Sequence, residues 1–274
     1  MSIIVSVKIN DGIVMAADSA TTFIFPDGRP AQIYEHANKI VNLVKGLPIG
    51  VMTCGAGGVG NASIATLLKD LRQRLAGDDE AHTDWTLDQK NYTMESVNSR
   101  VSQFFNEKVT EADFKLDLLL RICGYSSGHL LPEVWQVIIN QGKCLDPCCI
   151  QSEDNYGSRW NGEQEALQRI ILGVGTIPEA GAQALGLTVE QAAEACNKLV
   201  PHMCENLILP AAPIQDAIDL ARFMVETTKG FIRFSITRPK TVGGPIEIAA
   251  ITKHEGFKWV QRKHFFSPEF NRPS

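Results

Sequence analysis

Apolar and polar positions along the first twenty residues predict a hairpin. Ser2-Ile3-Ile4-Val5-Ser6-Val7-Lys8-Ile9 is rich in β-branched residues, and Ile13-Val14-Met15-Ala16-Ala17 follows after Asn10-Asp11-Gly12. Two β-prone runs around such a break form an antiparallel pair, with the turn residues supplying positive-φ positions. Asp18 ends the second run. A hairpin folds the head of its first strand against the tail of its second, so Ser2 and Asp18 are expected side by side. Phe23-Ile24-Phe25 then runs into Pro26-Asp27-Gly28, a strand end and a turn. Residues 34–44 contain an alternating strand through Asn38-Lys39-Ile40-Val41-Asn42-Leu43. Residues 47–54 read as a buried strand leading into Gly55-Ala56-Gly57-Gly58-Val59-Gly60.

Beyond that glycine turn the period changes. Ile64, Leu67, Leu68, Leu71 and Leu75 lie on one face of a helix. Residues 77–92 are polar and acidic, a loop. A second helix covers 93–110, with Val97, Val101, Phe104 and Val109 on one side. Thr93 is its N-cap, and Ser96 stands where a capping box prefers an acid, which leaves the box incomplete. Strands over 116–123 and 133–140 flank a turn at 124–128, and 144–162 reads as irregular. Helices are predicted over 163–172, 189–199 and 216–228. The last carries the stripe Ile214, Ala217, Ile218, Ala221, Met224 and Val225. Strands over 246–252 and 257–262 precede a polar tail. This order is not the regular alternation of a doubly wound sheet. It fits an α+β fold of two antiparallel sheets with helices outside them, and the lack of repeat or linker predicts a single domain over 1–274.

Composition narrows the function classes. The chain has 274 residues, 44% of them hydrophobic and 21% charged, enough for a sizeable core. The net charge of −5 and the lack of a basic run argue against nucleic acid as a partner. Apolar runs fall short of the ~20 residues of a membrane helix, and no basic segment leads an apolar stretch at the N-terminus, so neither membrane nor signal peptide is expected. Seven irregularly spaced cysteines suit a reducing, cytoplasmic location. Cys144, Cys148 and Cys149 form no Cys-x-x-Cys pair and have no nearby His, so they read as buried or free thiols, with no metal and no cofactor expected. Gly55-x-Gly57-x-x-Gly60 satisfies the dinucleotide fingerprint, but Gly77-Asp78-Asp79-Glu80 follows the helix where a second apolar strand is needed. Glu163 and Glu165 begin a predicted helix, where acids favour the dipole.

Four short motifs, in order, carry a resemblance. They are Ser2-Ile3-Ile4-Val5-Ser6-Val7; Asp11-Gly12-Ile13-Val14-Met15-Ala16-Ala17-Asp18-Ser19; Asn38-Lys39-Ile40; and Ala56-Gly57-Gly58-Val59-Gly60-Asn61-Ala62. Val242-Gly243-Gly244-Pro245-Ile246-Glu247-Ile248-Ala249-Ala250-Ile251-Thr252 closes the set. Together they resemble the proteasome β-subunit family, bacterial relatives included. The resemblance implies a four-layer αββα sandwich of the N-terminal-nucleophile hydrolase type whose subunits stack into rings. It is loose over about 141–215, a segment longer than in a typical subunit.

The same resemblance assigns roles. Ser2, exposed by removal of Met1, matches the nucleophile, and its α-amine, with a pKa of roughly 7.7–8, would serve as the base. Lys39 matches the family's lysine and Asp18 the acid that orients it. Gly57, with Gly55 as second choice, matches the oxyanion donor, and Thr22 the residue whose backbone pairs with an extended peptide. Taken singly, Ser2 is an ordinary start-site residue, Lys39 a solvated strand residue and Asp18 a turn acid. The family nucleophile is usually Thr. Glu163 stands where the family has an auxiliary Ser, and Pro239 and Val242 where it has an Asp and a Ser. Three readings follow. The first is a peptidase acting on peptides or unfolded proteins as a homo-oligomeric ring, with an unfoldase as further partner. The second is a catalytically inactive ring-building or binding subunit. The third is hydrolysis of a small-molecule amide.

Overall fold

The computed structural model describes residues 2–24, 30–113 and 115–263. It opens with strands β1 (Ile3–Ile9), β2 (Gly12–Ala17), β3 (Thr21–Ile24), β4 (Pro30–Tyr34), β5 (Ile40–Asn42) and β6 (Ile49–Gly55). The short hairpin β7 (Gly58–Val59) and β8 (Ala62–Ser63) leads into helices α1 (Ile64–Ala76) and α2 (Met94–Ala112). Strands β9 (Leu118–Gly124), β10 (Glu133–Asn140), β11 (Lys143–Cys144), β12 (Cys148–Gln151) and β13 (Gly157–Gly162) follow. Then come α3 (Glu165–Leu167), α4 (Glu179–Ala184), α5 (Val189–Met203) and α6 (Ile214–Phe234), and the closing strands β14 (Glu247–Thr252) and β15 (Gly256–Gln261). No helix among the described residues is long and apolar enough to cross a membrane.

The strands form a mixed α+β architecture of antiparallel sheets. One has the order β13-β1-β2-β14-β15, so the two ends of the described chain share a sheet. The other runs β11-β10-β9-β6-β5, with β12 also on β10. Every residue of β1 and β2 is buried, because both faces of their sheet are covered. Ile3, Val5 and Val7 pack with Ala217, Ala221, Met224 and Val225 of α6. On the opposite face Ile4, Ile13 and Met15 meet Met52, Cys123 and Val134 of the second sheet. That sheet's far side buries Val51, Leu120 and Ile122 against Leu67 and Leu71 of α1 and Val101 and Phe104 of α2. Arg121 on β9 is 1% exposed. It ties the sheets together by donating to Ser6 Oγ at 3.3 Å and to Asn161 Oδ1. Burial brings its pKa down to about 10.

Several local expectations are corrected. The β1–β2 turn uses no positive φ at residues 10–12. It is held from outside instead: Asn10 N–H donates to Pro210 O at 2.8 Å, and Tyr125 Oη donates to Asp11 O at 3.3 Å. Gly12 is needed for space, since a Cβ there would lie 2.4 Å from Ile251 O on the neighbouring strand. The capping box of α2 is complete, because a hydroxyl accepts as a carboxylate does: Ser96 Oγ takes Thr93 N–H while Thr93 Oγ1 takes Ser96 N–H. The acidic segment 77–92 contains a 3-10 turn, Glu80–Trp85, capped by Asp79. The stretch 144–162 is not irregular but supplies β11, β12 and β13. The helix expected over 163–172 is only α3 followed by a π turn, Gln168–Leu172. The strand predicted through residue 39 is shorter and begins at Ile40. The Pro26-Asp27-Gly28 turn and the polar tail from 264 lie outside the described residues.

Burial pushes the Tyr92 and Tyr125 phenols from their ordinary 10.0 up to about 12. A pKa raised on folding means that the unfolded chain loses these protons first. The stability they contribute is therefore intact below pH 10 and is lost as pH rises towards about 12. Both phenols can be followed by phenolate absorbance. Tyr92 and Tyr125 should ionise late and together with loss of circular dichroism. Ionisation of Tyr92 and Tyr125 near their ordinary 10.0 with the fold intact would contradict this.

Candidate functional site

The site is built where β1 begins and β2 ends. The β1–β2 register sets Ile4 opposite Ala17, which brings Asp18 to the backbone of Ile3. Asp18 is fully buried and accepts four hydrogen bonds from the described residues. Its Oδ1 takes Ile3 N–H at 3.0 Å and Lys39 Nζ at 2.5 Å. Its Oδ2 takes Ala20 N–H at 3.1 Å and Gly243 N–H at 3.0 Å. Burying a carboxylate is costly unless it is paired and its lone pairs are filled, and here both conditions hold. Lys39 is 5% exposed, and its carbonyl accepts Thr53 N–H at 3.0 Å, which fastens it to β6.

Ser2 is buried at the head of β1, and its carbonyl accepts Glu163 N–H at 2.7 Å. Gly162 makes this approach geometrically feasible. It has φ 104, and a Cβ there would sit 1.8 Å from Ser2 O. Ser2, Lys39, Thr53, Gly55, Gly57, Thr21 and Phe23 line one cavity of about 270 Å³. Gly55 must be glycine, because it has φ 112 and a Cβ would lie 2.5 Å from Asp117 O. Gly57 is tightly placed as well: a Cβ there would meet Thr21 Oγ1 at 3.2 Å.

The structure thus brings together Ser2, Asp18, Lys39, Gly55 and Gly57. Thr22 sits on the same strand as Thr21 and Phe23, but strand alternation turns its side chain away from the cavity. Its Oγ1 is buried with no hydrogen-bond partner among the described residues. Val242 is buried beside the Gly243 amide that Asp18 engages, and Pro239 O accepts Thr241 N–H. Glu163 and Glu165 do more than meet a helix dipole. Glu163 Oε1 accepts Arg238 Nη1 at 2.9 Å, and Glu165 Oε1 accepts Arg169 Nε at 2.6 Å. Burial would raise the Glu165 pKa, but hydrogen bonds from Arg169 and Thr176 outweigh it and hold the carboxyl below its ordinary range.

Two neighbours carried no sequence signal. Lys263, just after β15, is buried and donates to Ser19 Oγ at 2.9 Å and Ala37 O at 2.6 Å; it lies 3.0 Å from Glu247 Oε2. Burial lowers its pKa, with the Glu247 charge opposing. Cys54 lies against the same centre. Burial raises its thiol pKa, with Lys39 pulling the other way.

Lys263→Ala should destabilise the fold by about 3–5 kcal/mol, because it leaves the Glu247 carboxylate buried without its cation. Chemical denaturation should show the loss, and Lys263→Ala with Glu247→Gln should recover much of it. An unchanged midpoint for the single variant would refute the pairing.

No protein-family profile matches the chain, and no curated protein matches it in sequence. Solved structures do match. Anbu (ancestral beta-subunit) from Yersinia bercovieri superposes with a TM-score of 0.52 at 14% identity, over 96% of this chain and 88% of that one. The Anbu complex from Pseudomonas aeruginosa, described as a helical assembly, superposes with a TM-score of 0.55 at 16% identity and the same coverage. At these identities the likeness is one of fold: this chain has a mixed α+β fold similar to that of ancestral β-subunits.

Proposed function

We propose that this protein is a peptidase of the proteasome β-subunit type that uses Ser2 as an N-terminal nucleophile. The observation that carries the reading is the buried Asp18–Lys39 pair at the head of the Ser2 strand, facing a cavity that Ser2, Lys39 and Gly57 share. With Met1 removed, the α-amine of Ser2 takes the proton from its own Oγ. The Oγ then attacks the scissile carbonyl carbon. The charged Lys39, held by Asp18, favours the neutral amine and the developing alkoxide. Gly57 N–H, or that of Gly55, receives the oxyanion, a contribution of about 3 kcal/mol in comparable sites. The C–N bond breaks, and the leaving amine takes the proton from the α-ammonium. Water, deprotonated by the same amine, then cleaves the Ser2 ester and releases the acid. An extended peptide would lie along β3, paired with the Thr22 backbone.

The three buried clusters support a four-layer αββα sandwich. The sheet shared by β1, β2, β14 and β15 supports one domain over the chain. The helical assembly of the Pseudomonas protein motivates self-association here. Glu163 favours a second reading, an inactive ring-building subunit. It stands where the family carries an auxiliary Ser, and its carboxylate is occupied by Arg238.

Turnover of fluorogenic peptides tests the choice. The peptidase reading expects hydrolysis that Ser2→Ala reduces by about 10⁶-fold, the scale of losing a catalytic serine oxygen, with the circular dichroism of the wild type. Hydrolysis unchanged by Ser2→Ala, or none with any peptide, would overturn it. Turnover confined to small amides would point to the third reading.

A further inference from the structure

Beside the Ser2 cavity lies a larger cleft of about 540 Å³, bounded by β5, α1 and β15. Five of its lining residues are cations: Lys45, Lys69, Arg72, Arg262 and Lys263. Its one acid among the described residues, Glu247, is already paired with Lys263. The chain as a whole carries −5, so this excess of positive charge is local. Lys45, Lys69 and Arg262 are exposed at the rim. Arg72 is half-buried; it donates to Asn42 O, while its Nε is buried without a partner among the described residues. Burial lowers the Arg72 pKa, and the nearby Arg262 charge lowers it further. The Arg262 guanidinium is fixed over the Trp259 ring at 4.9 Å from its centroid. Trp259 and Phe257, edge to face at 5.3 Å, form an apolar wall with Ile40.

We infer that this cleft binds an organic phosphate, an anion with several charges on one end and an apolar body on the other. Like charges held together repel, and an anion among them relieves that repulsion. Arginine forks and lysine point charges together suit phosphoryl oxygens. A cleft of this size falls in the range of small-ligand sites, and its aromatic wall gives the organic body a surface. The inference does not depend on Ser2 acting as a nucleophile, because the cleft and the Ser2 cavity share only Asn38 and Ala65 among their described lining residues.

Calorimetric titration of the full chain with adenosine triphosphate and with inorganic tripolyphosphate tests it, with Trp fluorescence as a second readout. Both should bind at low salt and weaken as salt rises, with the nucleotide tighter. Lys69→Glu and Arg262→Glu should each weaken binding about tenfold or more. Lys198→Glu makes the same charge change at an exposed position on α5 and should bind as the wild type does. No binding of either probe, or equal weakening by all three variants, would overturn the site. Tripolyphosphate binding without the nucleotide would overturn the organic ligand, and tighter binding of an oligoglutamate peptide would overturn the phosphate assignment.

Discussion

A carboxylate with no access to water must be fully satisfied by the protein, and Asp18 is satisfied by donors from four separate places. Ile3 belongs to the first strand, Ala20 to the turn after the second, Lys39 to the approach to β5, and Gly243 to the loop before β14. Removing any one would leave a buried charge short of a partner, which costs far more than a surface contact. The head of β1 is therefore pinned, and with it Ser2. Ser2 is held from its other edge by the Glu163 amide, which reaches it because Gly162 carries no side chain.

A second buried pair reinforces the first. Lys263 and Glu247 sit next to it, and Lys263 reaches Ser19 Oγ and Ala37 O, the segments flanking Asp18 and Lys39. The two ends of the described chain thus meet in one sheet and one ion-pair network. Hydrophobic burial sets the sheets and helices in place, while the ion pairs fix the chain's head to within hydrogen-bond geometry. That division suits a reacting centre, where position matters more than net stability.

Elements with strong periodicity were legible in the sequence. The β1–β2 hairpin, α1, α2 and α6 follow runs whose apolar spacing has one physical reading. The strand β13 was not legible, because Gly157-Ser158-Arg159-Trp160-Asn161-Gly162 has no alternating apolar pattern and forms by backbone pairing with β1. The turn at 10–12 departs from the positive-φ backbone its residues suggest because it is held by Pro210 and Tyr125, contacts that local sequence does not encode. Within the site, Asp18 was legible because hairpin register alone places it beside the head of β1. Lys39 was identifiable only through its motif. Lys263 was invisible: a basic residue after a final strand looks like a solvated end, and its burial depends on segments more than 200 residues away. The cationic cleft was hidden for the same reason, since Lys45, Lys69, Arg72 and Arg262 converge only in the fold.

The most direct measurement is the intact mass of the purified protein before and after a peptide epoxyketone, a probe that requires a free α-amine and its own side-chain hydroxyl on one residue. The expected result is a protein lacking Met1 that gains the mass of one probe, with the gain abolished in Ser2→Ala. Retention of Met1 in native material, with no adduct, would contradict the Ser2 mechanism and leave the fold without that chemistry.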